Sequence, residues 1–233
     1  MVLILDCDVP WVPVHNRPKE DARIFHVDVD VLKTGIGMWD VEAEMRCRAD
    51  SEVALKQIID VVANSKPLAE LEIMARIQSR EIQLDSNFAR ISATFADIES
   101  TLPTDGSFTV PNLLRTLREC APPNTLFLNE SVSNYPLAWS HLQPDEPGSM
   151  IASGSSALGW GLGAAIGAGL AIKEANSIKA NPSIQNGSPR KIHNLVVLVV
   201  GDGSFLFGAP SSAYWIAQKY ETVSATVSPV YSG

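Results

Sequence analysis

Six consecutive apolar residues, Leu195-Val196-Val197-Leu198-Val199-Val200, run without a break into Gly201-Asp202-Gly203-Ser204-Phe205. Four of the six are β-branched, and none offers water a polar face. Such a run reads as a strand buried on both sides, as in a parallel sheet. A parallel sheet needs long crossovers, so the surrounding chain is committed to an α/β arrangement with flanking helices. In open α/β sheets, ligands bind at the carboxyl ends of strands, where backbone N–H groups and helix N-termini point outward. Asp202 is chemically suited to a divalent cation, and bare glycines let phosphate oxygens approach the backbone. A capped strand-to-helix turn explains the same tripeptide equally well, so the tripeptide alone does not decide.

Bulk properties narrow the classes. The 233 residues allow one large domain or two small ones, and 45% hydrophobic content suits a core-forming protein. A formal net charge of −8, with no basic run interleaved with aromatics, argues against nucleic acid and acidic membranes as partners. Cys7, Cys47 and Cys120 are odd in number and outside any Cys-x-x-Cys pattern. They point to a reducing compartment without structural zinc. Met1–Leu5 lacks a basic leader, so a secretory signal is not expected. Gly148–Ile172 carries no charge and is long enough to span a bilayer, but glycine and serine crowd its first half, favouring a soluble reading. The expected location is intracellular and cytoplasmic, with a mitochondrial one left open.

Strand-like and helix-like patterns alternate from the start. Val2–Leu5 and Ala22–Val27 read as strands, the second closing on Asp28 and Asp30. Asp50 or Ser51 caps a helix through about Ala63, with Val53, Leu55, Ile58, Ile59 and Val62 as its apolar stripe. Lys66-Pro67 interrupts, and a charged, helix-permissive stretch leads to the turn cluster Leu102–Gly106. A second α/β unit begins near Phe108, with Pro111 in a helix first turn, Leu113, Leu114 and Leu117 inward, and Thr125–Leu128 as a strand. Asn176–Arg190 reads as an exposed loop, and Ser211–Tyr220 as an amphipathic helix with Tyr214, Trp215 and Ile216 available to pack. The expected organisation is therefore 1–65 as the end of a Rossmann-like middle domain, 66–107 as a linker, 108–222 as an incomplete ligand-binding domain, and 223–233 as a divergent tail.

Three loops are expected to open on one edge of the second sheet: Asn129–Asn134, Ser153–Leu158 and Gly201–Phe205. Together they offer hydroxyls, backbone amides and one carboxylate, an inventory suited to a diphosphate held through a metal ion. Helix capping by Ser131 and Ser133, and a solvated turn at Ser153–Ser156, stay open as plainer readings. Gly159-Trp160-Gly161-Leu162-Gly163-Ala164 matches the loose dinucleotide fingerprint. No clean strand precedes it and no acid follows about twenty residues on, so close packing of a helix explains these glycines better. Ser204 has the wrong neighbours for a nucleophile elbow. His15, His26, His141 and His193 are scattered and read as surface or capping residues.

Leu195–Phe205 followed by Trp215-Ile216-Ala217 resembles the cofactor motif of thiamine-diphosphate-dependent enzymes. Asn129-Glu130-Ser131-Val132-Ser133 and Ala157–Gly167 resemble two further segments of that family, nearest its acetolactate synthase and benzoylformate decarboxylase group. Asp6–Trp11 and Ile24–Asp30 resemble the end of its middle domain. The resemblance implies thiamine diphosphate and Mg2+ as cofactors. It implies Asp202 as the metal ligand, with Gly201, Gly203 and Ser204 at the diphosphate and Ser131 and Ser133 contributing from the second loop. Leu158 becomes the apolar wedge that bends the cofactor, beside Ala157 at the aminopyrimidine. The implied activity is decarboxylation or carboligation of a 2-oxo acid, a lyase or transferase reaction, in a homodimer or homotetramer.

The chain also departs from the family pattern. Val223–Gly233 supplies no counterpart of the Asn-Asn pair that closes the motif, and the domain carrying the activating glutamate has no counterpart. The expectation is a truncated cofactor-binding portion, inactive by itself and with no catalytic residue of its own. A nicotinamide-binding oxidoreductase module and a non-catalytic fragment are the alternatives.

Overall fold

A computed structural model describes residues 1–33, 35, 42–65, 70–154, 157–179, 193–222 and 224–228. The chain divides into two compact units, Met1–Asp85 and Ser86–Gly233. As the apolar patterning requires, every pairing in both sheets is parallel.

The first unit holds β1 (Val2–Leu5), β2 (Ile24–Asp28) and β3 (Met45–Arg48), in the order β1-β2-β3. The helix α1 (Ser51–Ala63) follows, and Asp50 caps it by accepting the Val53 N–H at 3.0 Å. Its stripe does not turn inward as expected: Val53, Leu55, Ile58, Ile59 and Val62 are all exposed. Three short strands offer too little apolar surface to cover a 13-residue helix. β2 ends on a buried carboxylate, Asp28, which accepts the Asp30 N–H at 2.8 Å and pairs with Lys33 Nζ at 2.6 Å.

The helix α2 (Leu71–Ser100) runs 30 residues, and the division between units falls within it. In the second unit, α3 (Val110–Cys120) starts with a capping box. The Asn112 N–H donates to Thr109 Oγ1, while the Thr109 N–H donates to Asn112 Oδ1. The remaining elements are β4 (Thr125–Glu130), α4 (Tyr135–Leu142), β5 (Met150–Ala152), α5 (Trp160–Lys179), β6 (Leu195–Val200), α6 (Asp202–Phe207), α7 (Pro210–Tyr220) and β7 (Ser224–Val227). The sheet order is β5-β4-β6-β7, which places β4 and β6 centrally. β6 is as buried as its sequence demands, with Val196–Val200 all within 2% of complete burial. On one side Leu126, Leu128, Leu198 and Val200 meet Leu162, Ala165 and Ile172 of α5; on the other Phe127, Val197 and Val199 meet Leu114, Ala138 and Leu142.

Several expectations need correction. Residues 176–179 belong to α5 rather than to a loop; residues 180–190, the rest of that expected loop, lie outside the described residues. Part of the expected tail, Ser224–Val227, is a strand that pairs in parallel with β6. His26 and His141 are buried rather than superficial, because each faces a buried carboxylate, Asp28 and Glu99. Tyr214 and Trp215 are exposed, and Lys219 Nζ lies 4.9 Å from the centre of the Trp215 ring. Among the described residues, no helix is long and apolar enough to cross a membrane.

Candidate functional site

Parallel strands bring the loops together. Glu130 is in register with Val200, so the segments after β4 and β6 leave the sheet side by side. The two are joined where the Gly201 N–H donates to the Glu130 carbonyl at 3.3 Å. β5 pairs with β4 through Asn129 and Ala152, so the segment after β5 leaves the same edge. The three loops singled out in the sequence therefore share one edge, although Ser155 and Ser156 lie outside the described residues.

The post-β4 loop is a tight turn. Asn129 Oδ1 accepts both the Ser131 N–H at 3.1 Å and the Ser131 hydroxyl at 2.6 Å. Ser131 is fully buried, so its side chain shapes the turn from within, whereas Ser133 is exposed. Ser131 makes no side-chain cap of the short 3-10 turn Val132–Asn134.

The post-β6 turn is open. Gly201 stands before the first turn of α6, and Asp202 opens it with its carboxylate exposed and Oδ1 accepting the Gly203 N–H at 2.9 Å. A side chain at Gly203 would meet nothing within 4 Å, so its backbone faces free space. Ser204 is buried. Among the described residues, no group of three or more His, Cys, Asp or Glu could hold a metal ion.

Between the post-β4 and post-β5 loops lies a cleft of about 460 Å³. Val132, Tyr135, Ala157 and Leu158 form its apolar wall, and Asn129, Glu130 and Ser153 its polar part. Ala157 and Leu158 thus face the cleft, while Ser131, Ser133 and the Gly201–Ser204 turn are not part of its lining.

The residue that sequence reasoning passed over is Glu130. It is buried, yet it is the last residue of an otherwise apolar and polar-neutral strand. Its Oε1 accepts the N–H groups of Gly159 at 2.6 Å and Trp160 at 3.0 Å, and its Oε2 accepts that of Gly161 at 2.6 Å. The carboxylate therefore fills the N-terminus of α5, satisfying the otherwise free N–H groups of its first turn. Gly161 is glycine because a Cβ there would lie 2.7 Å from both Glu130 Oε2 and Leu198 Cδ1. This disposes of the dinucleotide reading of Gly159–Ala164, since the helix terminus that would hold a pyrophosphate already holds a carboxylate. A sequence signal existed: an acid ending a buried strand needs donors, and glycines about thirty residues on could supply them.

A parallel α/β domain with three loops converging at its carboxyl edge is thus the class that the fold defines. Residues 131–222, which contain the post-β5 and post-β6 loops and the post-β4 loop from Ser131 onward, match the family of thiamine pyrophosphate enzyme C-terminal TPP binding domains. That stretch is thus similar to the cofactor-binding domain of thiamine-diphosphate-dependent enzymes. Benzoylformate decarboxylase of Pseudomonas aeruginosa is 33% identical over 100 residues, which are 43% of this chain and 15% of that protein. Among solved structures, benzoylformate decarboxylase from Polynucleobacter necessarius is similar with a TM-score of 0.62 at 16% identity, over 98% of this chain and 35% of that one. A thiamine diphosphate-dependent 4-hydroxybenzoylformate decarboxylase of Rhodococcus jostii gives 0.57 at 22% identity, over 98% and 35%. The chain spans about a third of the length of these structures and less of the curated relative.

Proposed function

We propose that this chain is the thiamine diphosphate- and Mg2+-binding portion of a 2-oxo-acid decarboxylase or carboligase of the benzoylformate decarboxylase kind. The observation that carries the reading is the convergence of the 129–134, 157–161 and 201–204 segments on one sheet edge, all but Asn129 and Glu130 within the stretch that matches the family. The donor chemistry fits such a group. Asp202 offers a hard, exposed carboxylate oxygen to Mg2+. The open backbone at Gly203, with the exposed hydroxyl of Ser133, suits diphosphate oxygens. Gly201 and Ser204 frame that turn, and Ser131 holds the neighbouring loop in shape through Asn129. Leu158 and Ala157 present an apolar surface to the cleft for the rest of the cofactor. When bound, thiamine diphosphate supplies the carbanion chemistry, and the protein supplies binding and orientation.

The chain alone binds without turning over. Glu130, the carboxylate in the cleft, is occupied by three N–H groups and is not placed to move a proton. An activating acid and the remaining metal ligands come from elsewhere in the active assembly, which we propose is a homodimer or homotetramer.

Calorimetric titration of the chain with thiamine diphosphate tests the reading. Saturable binding that requires Mg2+ is expected, and Asp202→Ala should weaken it at least about tenfold by removing a charged ligand. Binding of NADH in place of thiamine diphosphate, or thiamine diphosphate binding indifferent to Mg2+, would refute it.

A further inference from the structure

We infer that Glu130 is a positioning residue: it sets the backbone of the cleft wall and of the Gly201–Ser204 turn for the bound cofactor. The inference rests on the reading of the loops given above. One residue reaches all three loops. It ends β4 and leads directly into the Asn129–Ser131 turn; its carbonyl takes the Gly201 N–H; its carboxylate takes three N–H groups of the post-β5 segment. The last of these contacts begins at the residue after Leu158. With Gly159–Gly161 held, Ala157 and Leu158 have little freedom to leave the cleft wall they form.

The other side of the same segment is also fixed. Gly159 has φ of +95°, and a Cβ there would lie 3.0–3.1 Å from the backbone of Phe207 and Gly208, at the end of α6. Gly159 is thus pressed between Glu130 and the element that starts with Asp202. Nothing in this arrangement requires a carboxylate for folding alone, since a helix terminus is commonly satisfied by a neutral cap or by water. A buried two-oxygen acceptor that takes three donors sets geometry more tightly than either. The same carboxylate closes the α5 terminus to anions, which leaves the Gly201–Ser204 turn to receive the diphosphate.

The test uses the full chain. Glu130→Gln keeps shape but replaces one acceptor oxygen with a donor facing Gly161. Glu130→Asp keeps two acceptors on a shorter stem. Thiamine diphosphate titration with Mg2+ is read beside thermal melting of the unliganded protein and amide exchange at Gly159–Gly161. The expected result is a rise in Kd of about tenfold to a hundredfold for Glu130→Gln, faster exchange at those amides, a preserved melting transition, and partial recovery of affinity in Glu130→Asp. Unchanged Kd in Glu130→Gln, with the unchanged chain binding normally, overturns the inference and leaves the cofactor reading standing. Loss of binding that comes only with loss of the melting transition in both variants makes Glu130 structural and likewise overturns it. Absence of Mg2+-dependent binding in the unchanged chain refutes the cofactor reading, and the positioning role falls with it.

Discussion

Glycine does different work at neighbouring positions of α5. Gly161 lies against Glu130 Oε2 and Leu198 Cδ1, both buried and both held by their own packing. Gly161→Ala forces one of them to move, and overpacking of that kind costs about 1–3 kcal/mol. Gly163, two residues on, would meet nothing within 4 Å with a Cβ added. Gly163→Ala should therefore stabilise the chain by about 0.5–1 kcal/mol through helix propensity and a less flexible unfolded state. Urea unfolding of the two variants decides the matter: opposite signs are expected, and two equal shifts would refute the packing account. The glycine spacing in the sequence suggested a helix face packed closely throughout. Gly159 and Gly161 meet close neighbours, while Gly163 and Gly167 face open space, because contact depends on what lies opposite, which spacing does not encode.

At the scale of elements, the end of α2 is tied to α3 and α4 by a buried ionic cluster. Glu99 accepts from Arg118 at 2.9 and 3.1 Å and pairs with His141 Nδ1 at 2.8 Å; Arg118 also donates to the His141 carbonyl. Asn112 adds bonds to the carbonyls of Glu99 and Thr101, and the Phe95 ring meets His141 edge-on. Burial pushes the Glu99 pKa up, but the hydrogen bonds from Arg118 and His141 outweigh it and hold the carboxyl below its ordinary value. The folded value lies below the unfolded one, so this stabilisation is complete above about pH 4.5 and is lost as pH falls through the folded value. Glu99→Ala should cost about 3 kcal/mol at pH 7, the lower end for a broken buried pair, since Arg118 retains some solvent. In urea unfolding the gap between variant and parent should narrow at pH 3; a gap independent of pH would refute the role assigned to the charge. None of this cluster was legible in the sequence, because its members come from three helices and are up to 42 residues apart. The elements with strong local signals were legible: the apolar run of β6, the Asp50 cap of α1, and Pro111 in the first turn of α3. β3 and β5 were not. Met45–Arg48 carries two arginines and is exposed throughout, and Met150–Ala152 is too short to show a period. Of the candidate site, the loops were readable from their residue types, while Glu130 emerged only once the helix terminus it fills was in place.

Across the whole molecule, the two units differ in how much core each owns. Among the described residues, the buried apolar side chains of Met1–Asp85 are Ile4 and Val27, whereas the β4–β6 core alone draws on both faces of β6 and on α3, α4 and α5. In the first sheet β1 and β3 each have one strand neighbour, and the apolar side chains of α1 stay exposed. Local stability follows buried apolar contact and the solvent exposure of backbone hydrogen bonds. Amides of β1, β2 and β3 should therefore exchange within minutes, while those of Leu126–Leu128 and Val196–Val200 should remain protected for hours, close to the limit set by global unfolding. Urea should separate the same two regions, with Met1–Asp85 melting first and the transition of Ser86–Gly233 following at higher denaturant. Mass-resolved hydrogen exchange on the full chain reads both regions in one experiment. Equal protection of β2 and β6, lost together in a single transition, would show that the small unit draws its stability from something other than its own core.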